Sequence, residues 1–321
     1  MGLDVVAGDR DELATLLQTL SAEIEAAMGS ADYAGQGLSV VVGFGDSLFD
    51  DRFGLEDQRP TELEPMPVFA NDSLVTEEAS HGDISLVINA ATQETVDQVL
   101  AQILEVVGGD LLAMRWSQAG FNELIPEAGV GEAPGRNLLG FKDGTVNPPI
   151  DDDRLLDSIV WVSQQGDQPE WTVGGTYQAV RVIAMLLEPW NSTPVPEQED
   201  IFGRNKETGA PLGGTRETDD PYCFLSEFDF ESHIGRVNPR SAGINSILRR
   251  SFNYVRGDGE LDQGLVFLSY QRSLEFGFIG MQRRLEGEAM EEFVRPTGGG
   301  IFFVPPPPTE GQYLGQRLIE S

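Results

Sequence analysis

Apolar residues in the first 120 positions switch between two periods, and each switch marks an element. Leu3-Asp4-Val5-Val6 has the character of a core strand. Leu13, Leu16, Leu17, Leu20 and Ile24 then recur three and four residues apart, one stripe of a helix over 10–28. Asp9 is placed to cap that helix, with Glu12 three residues on. Residues 38–44 predict a strand, and an acidic loop over 50–80 with Pro60, Pro65 and Pro67 follows. Ile84 to Ala90 predicts the next strand. Thr92 opens a helix carrying Val96, Val99, Leu100, Ile103, Leu104 and Val107, which Gly108 and Gly109 stop. Leu112 to Trp116 is a further strand. Strand-helix-strand, twice over, is the order of a ferredoxin-like unit.

A Pro- and Gly-rich stretch from Pro126 to Gly135 has the composition of a linker. The plan then repeats with a long insertion. Tyr177 to Leu187 predicts a strand, Glu197–Phe202 a short helix, Gly264 to Tyr270 a strand, 283–293 a helix and Gly300 to Val304 a last strand. Residues 203–260 are expected to be mostly loop, and loops this long in a compact domain usually carry function. The expectation is an α+β fold of two tandem ferredoxin-like domains, with antiparallel sheets and peripheral helices. The divisions are 1–125, a linker with the motif turn over 126–150, and 151–321.

Composition narrows the function classes. The net charge is -32, from 53 acidic against 21 basic residues, and only Lys142 and Lys206 are lysines. Such acidity excludes nucleic acid and anionic membranes as partners. It suggests a protein of a salty interior, where salt screens self-repulsion. Cys223 is the single cysteine, so no intrachain disulfide and no cysteine-based metal cluster forms; it is expected as a small buried hydrophobe. No apolar run is long enough to span a membrane. No signal peptide or twin-arginine leader precedes the first strand, so the chain as it stands is expected in the cytoplasm, with export by that route if the natural start lies upstream.

Three pieces of candidate chemistry stand out. Gly140-Phe141-Lys142-Asp143-Gly144-Thr145 places a carboxylate in a glycine-flanked turn. His233 is one of two histidines and lies before Arg236, Asn238, Pro239 and Arg240; Ile247-Leu248-Arg249-Arg250 follows. Reducing peroxide on a haem needs an axial donor, a base that moves a proton between the peroxide oxygens and a cation for the departing hydroxide. Imidazole suits the first role, a well-placed carboxylate the second and arginine the third. Taken singly, each residue has an ordinary reading: a turn aspartate, a satisfied histidine, a salt-bridging arginine pair. Trp116, Trp161, Trp171 and Trp190 could relay electrons or simply pack the core, and His81 is expected at the surface.

Together these motifs resemble the dye-decolourising peroxidase family. The match extends from Gly140 to Pro148, over His233 to Arg240 and over Ile247 to Arg250. It is supported by Arg115-Trp116-Ser117-Gln118, Phe202 to Lys206, Gly209 to Leu212, Tyr270-Gln271-Arg272 and Gly311-Gln312-Tyr313. The resemblance runs along essentially the whole chain and is closest to the branch of deferrochelatase/peroxidases. It implies a haem b peroxidase with two ferredoxin-like domains of the dimeric α+β barrel type and the haem in the second. It implies His233 as proximal iron ligand, Asp143 as distal acid/base and Arg249, rather than Arg250, as distal cation, with Gly144 and Arg204 also beside the cofactor. Hydrogen peroxide and an organic electron donor, such as a dye or phenol, are the implied partners, and self-association into a homo-oligomer is left open. Release of iron from haem, or haem binding without catalysis, are the alternatives. Ser251-Phe252 depart from the pattern, where relatives often have Gly, or Asn at the first position.

Overall fold

The structure, a computed structural model, describes residues 1–321 apart from 110, 123–124, 128–130, 134, 165–166, 222–228 and 239–245. Cys223, Pro239 and Arg240 lie outside the described residues.

The first half runs β1 (Gly2–Val5), α1 (Arg10–Gly29), β2 (Ser39–Gly45), β3 (Ile84–Asn89), α2 (Gln93–Val107) and β4 (Leu112–Trp116). Asp9 caps α1, its carboxylate accepting from the backbone N–H of Asp11 and Glu12. The predicted stripe is the buried face: Leu13, Leu16, Leu17 and Leu20 have no exposed surface, and each such leucine contributes roughly 1.5–3 kcal/mol of burial. Thr92 caps α2 through Thr95 N–H, and Gly108 closes it. The strands stack antiparallel in the order β4-β1-β3-β2.

The expected linker holds a small hairpin, β5 (Ile125–Glu127) with β6 (Gly131–Ala133). The second half contains α3 (Asp153–Ile159), β7 (Thr176–Met185), α4 (Leu187–Ser192), α5 (Val195–Phe202), α6 (His233–Val237), β8 (Leu248–Arg249), β9 (Phe252–Val255), β10 (Gln263–Gln271), α7 (Gly280–Leu285), β11 (Val294–Val304) and α8 (Gln316–Ile319). Its strands repeat the first half's order: β11, then β7, then β10, with β8 and β9 both paired to β10. The two sheets are continuous. β11 pairs with β2 at Phe302↔Gly45 and Phe303↔Phe44, so one nine-stranded sheet carries both halves. Gly45 is required at that seam, because a Cβ there would sit 2.0 Å from Gly82 O.

Three expectations are corrected. The segment 283–293 is not one helix: α7 ends at Leu285, Gly287 turns the chain at φ 75°, and a short 3-10 turn over Ala289–Glu292 follows. The last strand begins at Val294 rather than Gly300, its bulge between Pro296 and Gly298 hiding the alternation. His81 is half-buried, with its carbonyl accepting from Trp116 Nε1 at 2.8 Å. No helix among the described residues is long and apolar enough to cross a membrane.

A buried ion pair locks the halves together. Arg181 in β7 and Asp72 in the long β2–β3 loop are 2% and 4% exposed, and Arg181 Nη1 donates to Asp72 Oδ2 at 3.1 Å.

Candidate active site

Between the second-half sheet and α6–α7 lies a cavity of about 280 Å³. Leu265 and Phe267 of β10, Ile183 of β7, Phe278 and Met281 give it apolar walls, and the five sequence candidates Asp143, Gly144, Arg204, His233 and Arg249 all line it.

His233 is the first residue of α6. Helix α6 can lie where it does because Gly235 has no side chain: a Cβ there would meet Asp229 O and the Phe230 backbone at 2.7 Å. Arg236, one turn on, donates to Glu286 O at 2.9 Å and to Arg284 O at 3.3 Å, fastening α6 to the end of α7. Phe202 packs against the imidazole at 5.5 Å between ring centres. The ring's Nδ1 lies 2.8 Å and 3.0 Å from the two carboxylate oxygens of Glu288, whose side chain is 5% exposed. An imidazole whose Nδ1–H is given to a carboxylate presents Nε2 as its free donor atom. Glu288 is a functional partner that sequence reading missed. It is one of 53 acidic residues, and nothing in its neighbourhood distinguishes it.

The Asp143 turn is built by several local bonds. Asp143 N–H donates to Gly135 O at 3.2 Å, Asp143 Oδ1 accepts from Gly144 N–H at 2.7 Å, and Gly144 takes φ 78°. Val146 also has a positive φ, 64°, an unfavourable geometry for a β-branched residue. Neighbours on both sides enforce it. Thr145 Oγ1 donates to Glu217 at 3.0 Å, and the Asn147 side chain bonds the backbone of Arg249. Such strain persists only where the surroundings over-determine it.

Arg249, in β8, reaches back to the same turn, Nη2 donating to Thr145 O at 2.5 Å. Burial pulls its guanidinium down from the usual value, and the charge of Asp143 opposes that pull. Arg250 behaves differently: it is exposed, and its guanidinium lies 5.8 Å above the Phe252 ring. Arg249 thus lines the cavity and Arg250 does not. Arg204 is 5% exposed, and its Nη1 donates to Gly209 O at 2.6 Å and Glu217 O at 3.1 Å. Burial lowers Arg204 to about 10; Glu217 pushes the other way, and repulsion from Arg249 adds to the fall. Ser251, where the sequence departs from the family pattern, also lines the cavity.

Of the tryptophans, Trp171 and Trp190 are buried, the latter donating to Leu139 O at 2.9 Å beneath the motif turn, whereas Trp161 is 40% exposed.

A cavity with an imidazole from its helical wall, and a carboxylate and a guanidinium from the loop and sheet opposite, defines a peroxidase-like haem site. Comparison with known proteins agrees. Residues 1–122 match the profile of the Dyp-type peroxidase N-terminal domain and residues 134–309 that of the C-terminal domain. The chain is 45% identical to the deferrochelatase of Shigella flexneri over 88% of this chain and 69% of that protein, and 45% identical to the deferrochelatase of Escherichia coli strain K12 over the same shares. Ferric DtpA from Streptomyces lividans superimposes with a TM-score of 0.89 at 33% identity, covering 100% of this chain and 91% of that one. The Dyp-type peroxidase from Cellulomonas bogoriensis gives 0.88 at 32%, covering 100% and 92%. The chain belongs to the Dyp-type peroxidase family, an oxidoreductase family that uses haem and acts on peroxide.

The residues present fit that cofactor. Among the described residues, no group of three or more His, Cys, Asp or Glu could hold a bare metal ion. One imidazole is what an iron already held by four porphyrin nitrogens requires.

Proposed function

We propose that this chain is a haem b peroxidase in which His233 holds the iron, Asp143 moves the proton and Arg249 stabilises the departing hydroxide. Hydrogen peroxide is the acceptor, and an organic donor such as a dye or phenol supplies two electrons in single steps. The observation that carries the reading is convergence: His233, backed by Glu288, and the Asp143–Arg249 pair line one cavity.

When bound, the haem supplies the iron at which the peroxide O–O bond is reduced. His233 Nε2 would hold that iron, and Glu288, paired with Nδ1, would fix the tautomer and make the imidazole a stronger donor. With Oδ1 accepting from Gly144 N–H, Asp143 would use Oδ2 to take the proton from one peroxide oxygen and deliver it to the other. Arg249, pinned to Thr145 O, supplies a fixed positive charge where negative charge develops, and a pre-aimed donor of this kind costs no reorganisation. Gly144 and Arg204 complete the cofactor's surroundings, and the apolar walls restrict water.

The domain boundaries go with this reading: 1–125, a connecting segment to 150 that carries Asp143, and 151–321 as the haem-binding part. The acidity of the chain is adaptation to high salt. A second reading, release of iron from haem, is favoured by the identity to deferrochelatases. Incubation with haem followed by mass analysis separates the two readings, because iron release leaves metal-free protoporphyrin. The peroxidase reading is tested by the absorption spectrum of the haem-loaded protein before and after peroxide. An unchanged spectrum would contradict it.

A further inference from the structure

Glu217 is not among the residues that line the cavity, and its side chain is one-third exposed at 33%. Its two carboxylate oxygens make separate bonds to the turn. Oε2 accepts from Lys142 Nζ at 3.3 Å and Oε1 from Thr145 Oγ1 at 3.0 Å. Lys142 and Thr145 are the residues immediately before Asp143 and after Gly144, so one side chain brackets the catalytic turn. The backbone of Glu217 is itself held, its carbonyl accepting from Arg204 Nη1 at 3.1 Å. The space is tight: a Cβ on Gly209 would meet Lys142 Cδ at 3.0 Å and Glu217 Cγ at 3.3 Å.

The bracket reaches both proposed catalytic groups. Thr145, held by Glu217 through its hydroxyl, accepts Arg249 Nη2 through its carbonyl at 2.5 Å. Lys142, held through its ammonium, is the chain neighbour of Asp143. Charge balance points the same way, since Lys142, Arg204 and Arg249 all line the cavity and Glu217 offsets the first two. We infer that Glu217 is a positioning residue: it sets the relative placement of Asp143 and Arg249 without touching substrate or cofactor. The inference rests on the peroxidase reading above.

The chain's lysine content supplies a test that needs no activity. Lys142 and Lys206 are the only lysines, so amine acetylation mapped by mass spectrometry reports Lys142 against Lys206 as an internal reference. In Glu217→Gln and Glu217→Ala the Lys142:Lys206 labelling ratio should rise several-fold, because the carboxylate partner is gone. With haem bound, Glu217→Ala should react with peroxide about tenfold more slowly, within the range that small misplacement of reacting groups produces. Glu217→Gln keeps an acceptor for Thr145 and should recover part of that rate. Reduction by the organic donor should be unchanged in both. A partly exposed ion pair contributes little to stability, so melting temperature and haem content should hardly move.

An unchanged labelling ratio in Glu217→Gln would show that the pair with Lys142 is not formed in solution and would overturn the inference. So would a wild-type peroxide rate in Glu217→Ala. A rate loss matched by equal loss of haem content would make Glu217 merely structural and overturn it as well. Should Glu217→Ala not fold, Thr145→Val removes the same bond from the other end and must slow the peroxide step alone. A wild-type protein that binds haem but ignores peroxide would defeat the peroxidase reading instead, and the haem-free labelling ratio would still report on Glu217 separately.

Discussion

Asn147 holds Arg249 by both of its backbone groups, Nδ2 donating to the carbonyl at 2.9 Å and Oδ1 accepting from the N–H at 3.0 Å. The amide side chain imitates a strand partner, so the loop bearing Asp143 is registered to the strand bearing Arg249. Asn147→Ala removes both bonds and leaves backbone groups of β8 without that partner. It should lower stability by about 1–3 kcal/mol and slow the reaction with peroxide about tenfold by loosening the pair. Stopped-flow absorption on haem-loaded variant and wild type checks this, and equal rates would mean the pair is registered by other contacts.

Glu288 acts through His233. Glu288→Ala leaves the imidazole free to turn and to change tautomer, so haem affinity or peroxide turnover should fall roughly 10–100-fold, the scale typical of partners that orient a metal ligand. Glu288→Gln keeps an acceptor but loses the charge and should lie between Ala and wild type. Haem titration orders the three, and a Glu288→Ala variant indistinguishable from wild type in both affinity and turnover would leave the carboxylate without this role.

Arg249, at the end of β8, and Arg250, the next residue, make a matched pair of controls. Arg249→Leu should slow the peroxide reaction by roughly 10²-fold or more, the scale of losing a key charge-stabilising donor. Arg250→Leu should stay near wild type, because its guanidinium stacks over Phe252 at the surface. The reverse ordering would show that the strand's register is misassigned.

Net charge sets a solvent dependence. At -32, self-repulsion should weaken the fold in dilute buffer. At ~1 M salt the Debye length falls to about 3 Å and relieves it. Melting temperature and haem retention should both rise from dilute buffer to molar KCl. A melting temperature flat across that range would contradict the proposed adaptation to salt.

Much of the fold was legible because its signals are local. The leucine stripe of α1, its Asp9 cap and the glycines after α2 each work within a few residues, and the repeated strand-helix order follows from them. The cavity residues were legible as motifs, since Asp143, His233 and Arg249 each sit in a run of unusual neighbours. What supports them was not. His233 and Glu288 are separated by 55 positions, Lys142 and Glu217 by 75, and Asn147 and Arg249 by 102. Each partner is a common residue type in a plain context, and only the folded chain brings it within bonding distance. The β2–β11 seam was hidden for the same reason, because edge pairing leaves no periodic trace in either strand.

In the proposed mechanism Asp143 moves the proton and Arg249 steadies the charge in one haem cavity. The decisive measurement is stopped-flow absorption after mixing haem-loaded protein with peroxide, for wild type, Asp143→Asn and Arg249→Leu from acid to neutral pH. Both variants should keep their haem and react much more slowly at every pH. Variants that react at the wild-type rate across the range, with haem fully bound, would contradict the assignment.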